Sequence, residues 1–305
     1  MSTWILFGWI MWWLYGISWL VSTGTITQPK AGSQMKTVEL ADEQWYMVYV
    51  QIFAFFWIYE FVQAVFTYVL IVSVCMWYFT SNQDTRGSFA MGKGFSWALF
   101  YNVGSLSLGS MILAIIWIIR ITFEYIDSQL QQAKEESPVV RFVSACMRCC
   151  LDCFHRFIKF VNENAYIQIA LTGESFCPSA MAAFVLALKN AATFFITNGI
   201  GSLIFFLGKM TISIINTGLG YILITNVESF KEDIDNPIPV LAVIFLISLS
   251  MASVFMNLYD TTSLTVLQCL YSDMDICRQS GEDPQDNSNR PREMHGIVEM
   301  LYDDG

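Results

Sequence analysis

Glu60 is the side chain with the most chemistry open to it, because it is the only charge in the 35 residues from Trp45 to Phe79. A carboxylate inside so long an apolar run is costly unless it faces a partner, a cavity or a transport path. Its neighbours are aromatic: Phe55, Phe56, Trp57, Tyr59 and Phe61. On a helix, Phe53, Trp57, Glu60, Ala64 and Thr67 fall on one stripe by i, i+3/i+4 spacing, so an indole face and an anion meet at one place. That pair suits a quaternary ammonium ion, which is drawn both to the ring quadrupole and to the carboxylate. Two structural readings stand beside it: an ion pair of Glu60 with Lys209, or a protonated Glu60 hydrogen-bonded to another helix.

A second cluster is Cys146-x-x-Cys149-Cys150-x-x-Cys153-x-His155, next to Arg148, Arg156 and Lys159. Thiolate and imidazole at this spacing are zinc donors. Cysteines beside basic and apolar residues at a membrane edge are also where palmitate is attached, so Cys146, Cys149, Cys150 and Cys153 are palmitoylation candidates. Inert reduced thiols are the third reading. The basic flanks point to the reducing cytosol, where a disulfide framework is disfavoured. No Asn-x-Ser/Thr acceptor occurs, and His155 and His295 are the only histidines. With no Gly-rich phosphate loop, no G-x-S-x-G and no H-E-x-x-H, neither an enzyme nor a cofactor is expected, and no metal site is assigned.

The elements that must position these groups follow from composition. Of 305 residues, 55% are hydrophobic and 14% charged, and the mean hydropathy is +0.48. This is an all-α, polytopic membrane protein rather than a soluble one. Sixteen Lys+Arg against 26 Asp+Glu give a net charge of −10 with no basic stripe, which excludes nucleic acid as a partner. About five spans are expected, near 4–21, 50–79, 96–119, 201–226 and 238–259. The first is read as a span and not a signal peptide, because it lacks a positive n-region. The Trp45–Phe79 run would reach about 52 Å as one helix; it must tilt, break or begin along the interface. A break near Glu60 would build a midplane site from discontinuous helices. In the third run Ser105 and Gly109 form a small-xxx-small pair suited to close helix packing.

Residues 127–178, Cys-rich and amphipathic in places, read as a cytosolic helical segment lying on the membrane, and 180–197 as interfacial or re-entrant. Residues 1–271 thus form a transmembrane region and 272–305 an acidic tail, disordered in part. Basic residues set the orientation. The 120–189 region holds Arg120, Lys134, Arg141, Arg148, Arg156, Lys159 and Lys189, against Lys231 alone in the 227–237 loop. That puts 120–189, and the C-terminus two spans later, in the cytosol.

Specific residues then suggest a family. Phe157-Ile-Lys-Phe-Val-Asn-Glu-Asn-Ala-Tyr166, Phe176-Cys-Pro-Ser-Ala180, Lys189-Asn190 and Phe206-Leu-Gly-Lys209 resemble, in order and spacing, the choline transporter-like proteins (solute carrier family 44). Phe56-Trp57-x-x-Glu60-Phe61, Gly104-Ser105 with Gly109-Ser110, and Tyr125-Ile-Asp-Ser-Gln-Leu130 match as well, so the resemblance covers nearly all of 1–270. It implies a multi-pass carrier of choline or a related small organic cation, in the plasma membrane, with both termini cytosolic and Trp57 and Glu60 at the family's aromatic and acidic pair. It departs at Phe100-Tyr101-Asn102, where the family usually has Arg-Tyr-His, and at Met181-Ala182, where a basic residue is common. It also covers only the second half of the family's length, which makes an N-terminal half an expected partner or the rest of a longer product. The alternative function is a non-transporting membrane scaffold or complex subunit.

Overall fold

The computed structural model of the chain describes residues 2–27, 37–39, 41–80, 89–130, 137–189, 191–227 and 236–281, with 291 and 294 singly. The described residues form eight α-helices: α1 (Ser2–Ser22), α2 (Asp42–Phe79), α3 (Ala90–Ser96), α4 (Val103–Gln129), α5 (Pro138–Thr172), α6 (Phe176–Lys189), α7 (Ala191–Asn226) and α8 (Pro237–Ser280). One antiparallel ribbon pairs β1 (Thr25–Thr27) with β2 (Thr37–Glu39), Ile26 opposite Val38. Among the described residues five helices are long and apolar enough to cross a membrane: Trp4–Ser22, Asp42–Phe79, Val103–Gln129, Gly201–Asn226 and Pro237–Cys277. The chain is an all-α multi-pass membrane protein, as its composition predicts.

The helices sort into two compact units, residues 1–69 with 92–181, and 70–91 with 182–305. In the first, α1 docks on the start of α2. Trp13 Nε1 donates to the Gln51 carbonyl at 2.9 Å, and its ring lies 4.5 Å from that of Phe55. The start of α2 is capped by Gln44, whose Oε1 accepts from the Ala41 N–H while its Nε2 donates to the Thr23 carbonyl; Asp42 and Glu43 complement the helix dipole there. α2 is one unbroken helix through Glu60, so the expected break is absent. Its 38 residues, about 57 Å at 1.5 Å each, exceed a ~30 Å hydrocarbon core. The polar first turn with Asp42 and Glu43 takes up only a small part of that excess.

The third apolar run divides where the sequence reading places one helix. Trp97–Tyr101 is a π turn between α3 and α4, closed by the Asn102 N–H on the Trp97 carbonyl at 2.9 Å. Asn102 Nδ2 donates to Tyr68 Oη at 2.8 Å. α4 runs beyond the apolar stretch to Gln129, because Arg120 pairs with Asp152 at 2.8 Å and Asp127 with Arg148 at 2.9 Å across to α5. The 127–178 segment is chiefly α5. Its first half exposes Val139, Phe142, Val143 and Met147, whereas Asn162 and Asn164 to Ile169 are buried. Gly173 ends it at φ +74°, a left-handed position that favours glycine, and the chain turns through 108° into α6.

In the second unit α7 and α8 pack antiparallel. A methyl on Gly208 would meet Met256 Cε at 2.7 Å and one on Gly220 would meet Ile244 Cδ1 at 2.9 Å, so these glycines let the backbones approach. Outward, Leu203, Ile204, Phe206, Leu246, Ile247 and Phe255 are exposed, the surface a helix shows to lipid. α8 does not stop near residue 259. Cys269, Leu270, Met274 and Cys277 are buried, Cys269 Sγ stands 3.7 Å from Cys75 Sγ at the end of α2, and the helix continues to Ser280, past residue 271 where the sequence reading begins the tail. Apart from residues 281, 291 and 294, the rest of that tail, including His295, and the basic residues Lys30, Lys36, Arg86, Lys134 and Lys231 lie outside the described residues.

Candidate functional site

Glu60 is held from α4. Trp117 Nε1 donates to Glu60 Oε1 at 2.9 Å, and the Phe56 ring, one turn earlier on α2, stacks on Trp117 with centroids 6.1 Å apart and planes 10° apart. An indole N–H is a donor only, so this contact engages Trp117 with one of the two carboxylate oxygens. The same Trp117 ring carries the Arg120 guanidinium 5.6 Å from its centroid and meets the His155 ring at 5.2 Å, edge-on. A cation already rests on this indole, which shows that the ring can take one.

Trp57 lies one turn from Glu60 but turns elsewhere. Its Nε1 donates to the Ser107 carbonyl at 3.2 Å, and its ring lies 5.7 Å from Phe53. Ser107 belongs to the small-residue stretch of α4. Ser110 Oγ donates to that same Ser107 carbonyl at 2.9 Å, and Asn162 Nδ2 of α5 donates to the Gly109 carbonyl at 2.8 Å. Gly109 is needed here because a Cβ would collide with Tyr166 Oη and come within 3.0 Å of Phe176 Cε2. The half-buried surroundings of Trp57 and Glu60 are therefore aromatic on the α2 side and finely hydrogen-bonded on the α4 side. Lys209, the partner of the structural alternative, belongs to the second unit.

The sequence reading places Trp57 and Glu60 but misses Trp117, Asn162 and Tyr166. Trp117 is the one Trp in the latter part of the third run, a signal open to the same aromatic-plus-anion logic. Asn162 and Tyr166 stand out only as family-like residues, and their burial on α5 was not legible from an amphipathic pattern.

Cys146, Cys149, Cys150 and Cys153 are all exposed on the first half of α5. Repulsion from neighbouring thiolates raises two of them above the ordinary thiol range, Cys149 chiefly through Cys153 and Cys150 chiefly through Cys146. Among the described residues no three His, Cys, Asp or Glu come together as a metal-ligand group. His155 packs on Trp117, and burial, with Arg120 and Lys159 nearby, holds its imidazole below the ordinary histidine value. Cys149 and Cys153 line a cleft of about 480 Å³ with Arg141, Arg148 and Arg156.

Comparison with known proteins gives the same picture. Residues 1–275 match the family described as plasma-membrane choline transporter. Choline transporter-like protein 2 of Cavia porcellus is 34% identical over 238 residues, 76% of this chain and 33% of that protein. The human protein of that name is 33% identical over 238 residues, again 76% and 33%. That of Dictyostelium discoideum is 29% identical over 289 residues, 92% of this chain and 43% of that protein. The chain thus spans about a third to two-fifths of the length of these relatives. With a family match across nine-tenths of its length laid over a five-span helical fold, the chain belongs to the choline transporter-like family.

Proposed function

We propose that the chain supplies the cation-binding part of a plasma-membrane carrier for choline or a related small organic cation, with Trp57 and Glu60 at the substrate. The observation that carries this is the Glu60 carboxylate, set within a membrane helix and ordered by Trp117, on which Phe56 stacks. An intramembrane acid is retained at a cost that favours a functional role, and aromatic faces with one anion are what a quaternary ammonium ion binds. The names of the relatives and of the family support choline as the substrate. The test is saturable uptake of labelled choline in cells or proteoliposomes. Glu60→Gln should abolish it while the protein still reaches the membrane; undiminished uptake would remove Glu60 from the mechanism.

In this reading the first half of α5 lies along the cytosolic leaflet and the cysteines at 146, 149, 150 and 153 carry palmitate. Their exposure beside Val139, Phe142, Val143 and Met147 supports that placement. The same exposed face favours the scaffold alternative, which predicts background uptake together with stoichiometric partners in a detergent pull-down.

A further inference from the structure

The first unit buries two hydroxyls that it does not itself satisfy. Tyr166 is 3% exposed and Ser179 0%, yet among the described residues neither Tyr166 Oη nor Ser179 Oγ has a partner within hydrogen-bonding distance. Their surroundings behave otherwise: Asn162, Ser110 and Trp57 each reach a backbone carbonyl at 2.8 to 3.2 Å. Helical hydroxyls elsewhere in this chain turn back onto the carbonyl four residues earlier, as Ser213, Thr217, Ser250, Thr262 and Thr265 do. Ser179 has that option, since the Ser175 carbonyl is near enough to accept its backbone N–H at 3.2 Å, and its hydroxyl does not take it. A buried polar atom left unpaired costs about 1–3 kcal/mol, and native interiors rarely keep one without a use. Phenylalanine and alanine would avoid the cost at both positions.

The two hydroxyls share Phe176 as a neighbour. The Tyr166 ring packs on Phe176 with centroids 6.3 Å apart, and Ser179 follows Phe176 by three residues on the same face of α6. Gly109, two residues beyond the Ser107 carbonyl that holds Trp57, leaves the space that the Tyr166 oxygen occupies. Each hydroxyl can both donate and accept, which is the complement of an alcohol. We propose that Tyr166 and Ser179 form the subsite that reads the hydroxyl of a hydroxyalkyl ammonium ion, while Glu60 and the aromatic rings take its charged head. This rests on the carrier reading above and assigns to that site the feature that distinguishes an amino alcohol from a plain alkylammonium.

The experiment is competition against labelled choline on the purified full chain in nanodiscs, with unlabelled choline and ethyltrimethylammonium, which lacks only the hydroxyl. The wild type should prefer choline by about tenfold, the scale of one or two net hydrogen bonds. Tyr166→Phe should reduce the preference to about twofold while leaving ethyltrimethylammonium affinity within about twofold, and Ser179→Ala should act in the same direction. A merely structural hydroxyl would move both ligands together. If both variants keep the wild-type preference, or if the wild type shows none, the subsite falls and the carrier reading stands. If the wild type retains no labelled choline, the carrier reading fails and the subsite with it.

Discussion

The Glu60–Trp117 contact can be weighed by a double-mutant cycle. Trp117→Phe removes the indole N–H that lies 2.9 Å from Glu60 Oε1 but keeps a ring to stack on Phe56. Glu60→Met removes the acceptor at similar length. Each single change also loses things the other does not touch: the Arg120 cation over Trp117 at 5.6 Å, worth about 0.5–1 kcal/mol at an exposed site, and some packing area. These cancel in the cycle and leave only the shared bond. Neutral hydrogen bonds between membrane helices average about 0.6 kcal/mol and reach about 1.7, whereas bonds to a charged group contribute about 1.5–3 kcal/mol. Because Trp117 points its only donor at a carboxylate, the expected coupling is about 2 kcal/mol. It would be read from reversible unfolding of the four proteins in detergent micelles. A coupling below about 0.5 kcal/mol would show that the contact orders nothing, and the argument for a prepositioned carboxylate would fail with it.

Two further outcomes follow from the geometry. Gly109→Ala should destabilise the protein by about 1–3 kcal/mol in the same unfolding assay, because its methyl would press into Tyr166 and to 3.0 Å from Phe176. Gly104→Ala, which meets open space, should stay within about 0.5 kcal/mol; equal effects would refute the close-approach argument. The Cys149 thiol is held above its ordinary range chiefly by Cys153, so the pH midpoint of its alkylation by iodoacetamide should fall in Cys153→Ser. An unchanged midpoint would mean that the two thiols do not interact.

How far the sequence reached depended on the scale of the signal. Long uncharged runs announce five membrane helices because the bilayer imposes a length that no local propensity can counterfeit. The ends of those helices were less legible. α8 outruns its apolar stretch because Thr265, Gln268 and Asp273 are buried in the protein rather than solvated, and α4 outruns its own because ion pairs to α5 sustain it. Neither cause is local in sequence. The π turn at Trp97–Tyr101 is likewise set by its closure on Asn102 and by Asn102 reaching Tyr68, 34 residues away. At the site, Glu60 was legible because a lone charge in a span needs a reason. Its partner Trp117 and the unpaired hydroxyls of Tyr166 and Ser179 belong to the packing of four helices, which no spacing rule encodes.

That π turn has a consequence for how the chain tolerates insertion and deletion. Each α-helical residue advances the helix by about 100°, and a π turn holds one residue more than the α-helical register accommodates. The turn absorbs that residue, so the faces on either side of it stay in phase. Deleting one residue between Trp97 and Tyr101 would let the segment close as α-helix with its flanking faces kept, whereas forcing all five residues into α register would swing everything before them by about 100° relative to Ser107, Gly109 and Trp117. A sequence of the same length that lost the π turn would thus aim α3 away from its present face relative to α4, although every residue lining the site was retained.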